Sequence, residues 1–563
     1  MGEICATGLK RSGYCVFGYR EYMSLIKGGH SSFQLDVSHE AIGSSEMRVD
    51  ILVCFNHHGL EKNMHEVKPG GVVLHQTPEW KFSKEEQARL EKQKITVVYL
   101  PNEKLLKEIG APPILGNVLI TSVVWSILKQ DVALLKELVR EQFGHKGEKV
   151  LDLNFRCIDA GVAFHVAHAD TAAVTLPQAD VAWHNCMLLT GSQAMGLGAV
   201  HAGCRMYVGY PMTPSSPLLT FISEIQNRTG MVIKQAEDEI TAAQMMSGAM
   251  FMGTRAMTAT SGGGFDLMTE TLSLNGIIEN PSVFGLAMRP GPATGLPTWT
   301  AQGDLLLAVF GGHGEFARCV LSASDSQDAF DLMPVAFNIA EKYQISVIVL
   351  YDKQIAEALY TQPLYDQTKA TIERGHIVDS KTLASLKGTD RYDPAAKDGI
   401  SARWLPGTAA ATYAGQGDEH NADGSVDESA ENAIAQMDKR MRKMEKLKTE
   451  LPEPELFGSQ KPETLFVGWG STKGPMLDLL SKPAYKKAGY LHYTYMWPLQ
   501  VERFTALAAQ AKNVVLVEGN KTGQLGILLQ QEACIPLAHR VLKYDGRPFF
   551  VDELDSLLSP FLS

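Results

Sequence analysis

The chain has no pair of cysteines at metal-ligand spacing. Its eight cysteines (5, 15, 54, 157, 186, 204, 319 and 534) are scattered and nowhere form a CxxC. This argues against a zinc or iron–sulfur centre carried by the chain itself, and for reduced thiols in a cytoplasm. No run of 18 or more apolar residues occurs, so no membrane-spanning segment is expected. The opening MGEICATGLKRSGYCVFGY lacks a signal-peptide pattern. Positive charge is also in deficit. A net charge of −11 disfavours a nucleic-acid or anionic-membrane surface. No short internal repeat is visible, and low complexity is confined to one polar stretch near residue 415.

What is present is ordinary globular material. Hydrophobic residues make up 45% and charged residues 20% of 563, enough for large cores. That length predicts roughly three to four domains. Over residues 1–182, VDILVCFN, GGVVLHQ and ITVVYL read as buried strands of a parallel sheet, with KEEQARLEKQK as an exposed helix. Over 183–358, CRMYVGY, TRAMTAT, PSVFGLAMR, ARCVLSA and ISVIVLYD alternate with helical stretches, the pattern of an open doubly wound sheet. Residues 359–455 read as a polar, glycine-rich linker ending in one basic amphipathic docking helix. Residues 456–563 read as a third α/β unit, with ETLFVGWGS, YLHYTYMWP and KNVVLVEGN as strands. The predicted fold class is therefore α/β, in three α/β domains.

Three strand ends in the second domain attract chemistry. YVGYPMTPSSPLL leaves a strand and enters a helix; Ser215 and Ser216 suit a helix start, but that does not account for Thr213 between two prolines. EDEITAAQMMSGAMFMGTRAMTATSGGG places Glu237, Asp238 and Glu239 before a helix of small residues and ends on three glycines. One acid suffices for the helix dipole. Another is free to be buried, where its carboxyl can share a proton with a ligand nitrogen. GLAMRPGPATGLPT ends a strand at Arg289, whose guanidinium can form a two-point pair with a carboxylate. Ligands of open α/β sheets lie at such carboxyl ends. Elsewhere, Lys27, Gly28, Gly29 and His30 in EYMSLIKGGHSSF form either a phosphate cradle or a hairpin turn. VEGNKTGQL suits either interface packing or anion binding. His313 in GGHGEF is a candidate phosphate carrier or a hydrogen-bonded loop residue. DEHNADGSVDE lacks the spacing of a calcium loop.

In order and spacing, YPMTPSS, EDEITAA, TATSGGG, RPGPATGLPT, QGDLL and GGHGEF resemble the alpha subunit of 2-oxoacid:ferredoxin oxidoreductases. EYMSLIKGGHSSF resembles the gamma domain of the same enzymes, fused ahead of alpha, and VEGNKTGQL with YDGRPF resembles their transketolase C-terminal-like domain. The resemblance covers nearly the whole chain. It implies a gamma domain, a thiamin diphosphate pyrimidine-side domain and the transketolase-like domain. It implies oxidative decarboxylation of a 2-oxoacid, foremost 2-oxoglutarate, to acyl-CoA and CO₂. Electrons would go to ferredoxin. A beta subunit would hold Mg²⁺, the diphosphate and a [4Fe–4S] cluster; no GDG…N motif is found here. The assembly would hold two copies of each subunit.

Glu239 matches the family's catalytic glutamate, with Glu237 as runner-up. Thr213, Arg289 and Thr298 match positions contacting the 2-oxoacid. Tyr210, Pro211, Ser261 and Gly262 would border the cofactor, and Lys27, Gly28, Gly29 and His30 would meet coenzyme A. The chain departs from the pattern in places. Lys27 stands where Arg is usual, three glycines replace Gly-Pro-Gly, and Pro290 and Ala293 replace Gly and Ser. The family's glycine-rich loop is expected to precede residue 1. Two alternatives are an acyl-CoA ligase subunit using His313 and a non-catalytic assembly subunit.

Overall fold

In the computed structural model, which describes residues 1–25, 28–78, 80–168, 172–386, 390–409 and 411–562, the chain forms two compact units. The first comprises Met1–Leu188, Leu359–Leu364 and Phe550–Glu553. The second comprises Leu189–Ala358, Tyr365–Phe549 and Leu554–Ser563.

In the first unit, the three apolar runs form a parallel sheet. Val49–Cys54 pairs with Val67–His75, which pairs with Thr96–Tyr99. The exposed helix Lys84–Lys92 opens on a capping box, Ser83 and Glu86 each binding the other's backbone N–H. A second sheet was not legible as such. Cys15–Tyr22 pairs antiparallel with Ser31–Ser38 on one side and with Leu359–Gln362 on the other. Helices Gly116–Ile127 and Glu148–His168 supply much of the core, around the fully buried Trp125 and Ile158.

The second unit is built on a seven-stranded sheet. In spatial order its strands are Tyr495–Trp497, Arg318–Ser322, Ser346–Asp352, Ser282–Met288, Ala256–Thr260, Met206–Gly209 and Val232–Gln235. All neighbours run parallel except the first pair. Central strands such as Ser282–Met288 are buried at every residue, which is why they read as unbroken apolar runs. Chain order reverses between Met206–Gly209 and Ala256–Thr260: the strand following Met206–Gly209 adds on one side, the next on the other. That reversal opens a crevice at the carboxyl ends. A five-stranded sheet of the same unit has Thr464–Trp469 at its centre, flanked by Ala488–Tyr493 and Asn513–Glu518.

The stretch before residue 455 holds the docking helix Ala430–Glu450, whose inner face is mostly charged: Gln436, Lys439, Arg440, Lys443 and Leu447 are buried. Lys439 and Lys443 both bind the carboxylate of Glu279, one to each oxygen. Burial would raise Glu279, yet the Lys439, Lys443 and Arg391 charges hold it far below the usual carboxylate range. Among the described residues, no single helix is long and apolar enough to cross a membrane.

Candidate active site

The three acids of the opening motif have three different environments. Glu237 is exposed ahead of the helix Glu239–Phe251. Asp238 is its N-cap and accepts the Thr241 N–H at 2.7 Å. That bond holds the Asp238 carboxyl below its usual range. Glu239, the first helical residue, is 4% exposed, and its Oε1 is enclosed without a hydrogen-bond partner. Native interiors leave few such atoms unsatisfied, so this one marks a place for a ligand donor.

The glycines explain how Glu239 comes so close to the neighbouring strand end. Thr260 ends its strand, and Ser261 precedes the helix Gly262–Ile277. A Cβ on Gly264 would lie 2.0 Å from Thr260 Oγ1 and 2.9 Å from both Cγ and Oε1 of Glu239. No side chain fits there. A Cβ on Gly262 would come within 2.8 Å of Asp304, whereas Gly263 faces open space. Ser261 is fully buried and its Oγ also lacks a partner.

Arg289 follows the strand Ser282–Met288 and donates from Nη1 to the Thr213 carbonyl at 2.5 Å. Two of the predicted substrate residues are therefore joined directly. Burial pulls the Arg289 guanidinium below its usual value, opposed by Asp304. Asp304 belongs to the QGDLL motif but carries no prediction. Its Oδ2 is enclosed and unpartnered, and burial, reinforced by Asp266 and opposed by Arg289, pushes its carboxyl up to about 6. An Asp before a helix reads as an N-cap, yet the Asp304 side chain makes no capping bond. From sequence alone nothing distinguishes the two cases. Thr298 is buried after the loop carrying Gly295, where a φ of 54° and a Cβ 1.9 Å from the Pro290 carbonyl oxygen require glycine. Tyr210 and Pro211 are exposed just beyond the strand end at Gly209. The serines after them do not cap: Ser215 Oγ donates back to the Met212 carbonyl at 2.7 Å.

VEGNKTGQL resolves to packing. Gln302 binds the Trp469 carbonyl (2.7 Å) and the Gly519 N–H (2.6 Å), while Asn520 Nδ2 reaches the Gln302 carbonyl at 2.8 Å. Beneath them Glu518 accepts from Trp469 Nε1 and Asn520 Nδ2, and burial pushes its carboxyl up to about 7.

In the first unit, Gly28 and Gly29, both at φ 87°, lie between the two paired strands. His30 is half-buried, its imidazole pulled down by burial and then by Lys62. Lys27 lies outside the described residues. His313 is exposed; its backbone N–H binds Ser273 Oγ at 3.0 Å.

Comparisons place the chain in a family. Residues 197–444 match the family model described as pyruvate flavodoxin/ferredoxin oxidoreductase, thiamine diP-bdg, and residues 1–164 match pyruvate ferredoxin/flavodoxin oxidoreductase. The chain is 30% identical to the 2-oxoacid:ferredoxin oxidoreductase subunit alpha of Sulfolobus sp., over 99% of this chain and 94% of that one. It is 28% identical to the 2-oxoglutarate oxidoreductase subunit KorA of Mycobacterium tuberculosis, over 95% and 84%. A solved 2-oxoglutarate:ferredoxin oxidoreductase from Magnetococcus marinus, with 2-oxoglutarate, coenzyme A and succinyl-CoA bound, superposes with a TM-score of 0.92 at 28% identity, over 100% and 96%. With nearly its whole length matched to relatives of that description, the chain belongs to the 2-oxoacid:ferredoxin oxidoreductase family, as an alpha subunit.

Proposed function

We propose that the chain contributes the pyrimidine-side half of a thiamin diphosphate site and, with a separate beta subunit, oxidatively decarboxylates 2-oxoglutarate to an acyl-CoA, passing electrons to ferredoxin. The names and bound ligands of its relatives support the substrate. The observation that carries the proposal is the unpartnered, buried Oε1 of Glu239 at the sheet's switch point.

The residues fit the cofactor. Glu239 has a carboxyl oxygen free for a ring nitrogen, and Gly263 leaves open space beside it. Ser261 offers a second unpartnered atom, and Gly262, Tyr210 and Pro211 would complete the border. Thiamin diphosphate, when bound, supplies a carbon nucleophile for the keto group and a sink for the electrons of decarboxylation. Glu239 holds or returns a proton at the aminopyrimidine ring nitrogen, where burial excludes competing water. Arg289, fixed by the Thr213 carbonyl, presents its remaining N–H groups to a substrate carboxylate. Thr213 and Thr298 flank that carboxylate. Gly28, Gly29 and His30, with Lys27, are assigned to coenzyme A. The diphosphate, Mg²⁺ and a [4Fe–4S] cluster are assigned to the beta subunit, in a cytoplasmic assembly with two copies of each chain. The scattered cysteines support the cluster assignment.

Single-turnover reduction of methyl viologen by the assembled complex tests this reading. Glu239→Gln should lower the rate by roughly two or more orders of magnitude, the scale of a general acid–base contribution. Glu237→Gln, on an exposed residue, should leave it nearly intact. A healthy Glu239→Gln enzyme overturns the assignment.

A further inference from the structure

The loops under the docking helix enclose more positive charge than negative. Glu279 is occupied by Lys439 and Lys443. Glu341, also buried, is occupied by Arg255 Nε at 2.8 Å and Arg374 Nε at 2.9 Å. Two further arginines lie in the same interior, Arg391 at 2% and Arg403 at 4% exposure. Arg391 uses Nη2 on the Glu279 carbonyl at 2.9 Å, but its Nε and Nη1 have no partner. Arg403 has none at Nε, Nη1 or Nη2; its Nη2 is 3.8 Å from Glu341 Oε1, an ion pair without a hydrogen bond.

Five guanidinium nitrogens are thus enclosed with their N–H groups unused. Arg391 sits over the rings of Tyr392 and Tyr413, 4.8 and 5.8 Å from their centroids. A ring face attracts the cation but accepts none of its in-plane N–H groups in the way an oxygen or halide does. Burial, reinforced by the neighbouring Arg391, pushes Arg403 down to about 10, so Arg403 remains charged at neutral pH. Buried charged groups with most of their N–H donors unmet are costly and rare. Water would satisfy N–H groups but would bring no negative charge to offset Arg391 acting on Arg403.

We propose that Arg391 and Arg403 together hold a small inorganic anion of the halide class beneath the docking helix. The enclosure favours a compact ion: Tyr392, Trp404, His420 and Gln436 around it are each 2% exposed or less. Tyr392 Oη, also unpartnered, offers one more donor, and the unpartnered Oε1 atoms of Gln344 and Gln436 suit ordered water beside the ion.

The test uses the assembled complex. Crystals grown in bromide should show an anomalous peak within about 3.5 Å of nitrogens of both arginines. At constant ionic strength, replacing gluconate by chloride should raise Tm by about 2 °C or more, as binding to the folded state requires. Arg403→Gln should abolish both the peak and the chloride response. If that variant fails to assemble, the wild-type peak and chloride series decide alone. Water or protein acceptors at the position overturn the proposal. So does a peak without any chloride response, which would mean an adventitious ion only.

Discussion

Gly264→Ala tests whether the glycine turn exists to admit Glu239. The added Cβ would start 2.0 Å from Thr260 Oγ1 and 2.9 Å from Glu239 Cγ and Oε1. Ordinary contact needs about 3.4 Å, so Thr260 must yield by about 1.4 Å and Glu239 by about 0.5 Å. Thr260 is fully buried with its Oγ1 donating to Met212 Sδ, and Glu239 leaves the new methyl only by moving its carboxyl. Overpacking of this kind costs about 1–3 kcal/mol. Because alanine favours a helix over glycine by about 1 kcal/mol, the neighbouring Gly263→Ala is the internal control. Gly263 meets nothing within 4 Å, so it should gain from propensity without a clash. The stability difference between the two variants then isolates the clash at about 1–3 kcal/mol, read by urea unfolding. On the proposed role of Glu239, displacing its carboxyl should also lower single-turnover rate roughly tenfold to a hundredfold in Gly264→Ala. Equal stability of the two variants, with Gly264→Ala turning over within twofold of wild type, would refute the close-approach argument.

Three other outcomes follow from the geometry. Arg289→Lys loses the two-point guanidinium and its bond to the Thr213 carbonyl, so KM for the 2-oxoacid should rise about tenfold or more with a smaller change in kcat; unchanged steady-state kinetics would remove Arg289 from the site. Glu279→Gln strands two buried ammonium groups and should destabilise the second unit by about 3–5 kcal/mol, measured by denaturant midpoint. Glu518 titrates near 7 when folded against an ordinary 4.5. The folded state therefore binds the extra proton between those values, and this group's contribution, on the order of 3 kcal/mol, is full below pH 4.5 and lost as pH rises through 7. Unfolding across pH 5–8 should show that slope in wild type and lack it in Glu518→Gln; parallel profiles would show that Glu518 is ionised in the fold.

The parallel strands were legible because burial on both faces leaves continuous apolar runs, as in PSVFGLAMR and ISVIVLYD. The pairing of Cys15–Tyr22 with Leu359–Gln362 was not, since its partners lie more than 300 residues apart and no local pattern reports them. The docking helix was recognisable by periodicity, but not which face it buries. Its Lys439 and Lys443 look solvent-facing until Glu279 is seen beneath them. In the site, the motif acids and Arg289 stood out by residue type at strand ends. Asp304 did not, because its single signal imitates a helix cap. Gly264 could be picked from its neighbours only once the distance to Glu239 was known.

The edge strand Tyr495–Trp497 gives the second unit an unusual seam. It closes the exposed side of Arg318–Ser322 with residues taken from between elements of the other sheet. The boundary near residue 455, natural for a cut by composition, is therefore a poor place to divide the protein. A fragment ending there would present Arg318–Ser322 as a bare sheet edge, the surface on which unrelated chains add strands and aggregate. It would also leave Gln302 with four broken hydrogen bonds. The two sheets should accordingly melt as one cooperative body, and recombining the C-terminal segment with another scaffold would require that scaffold to supply an edge strand of its own.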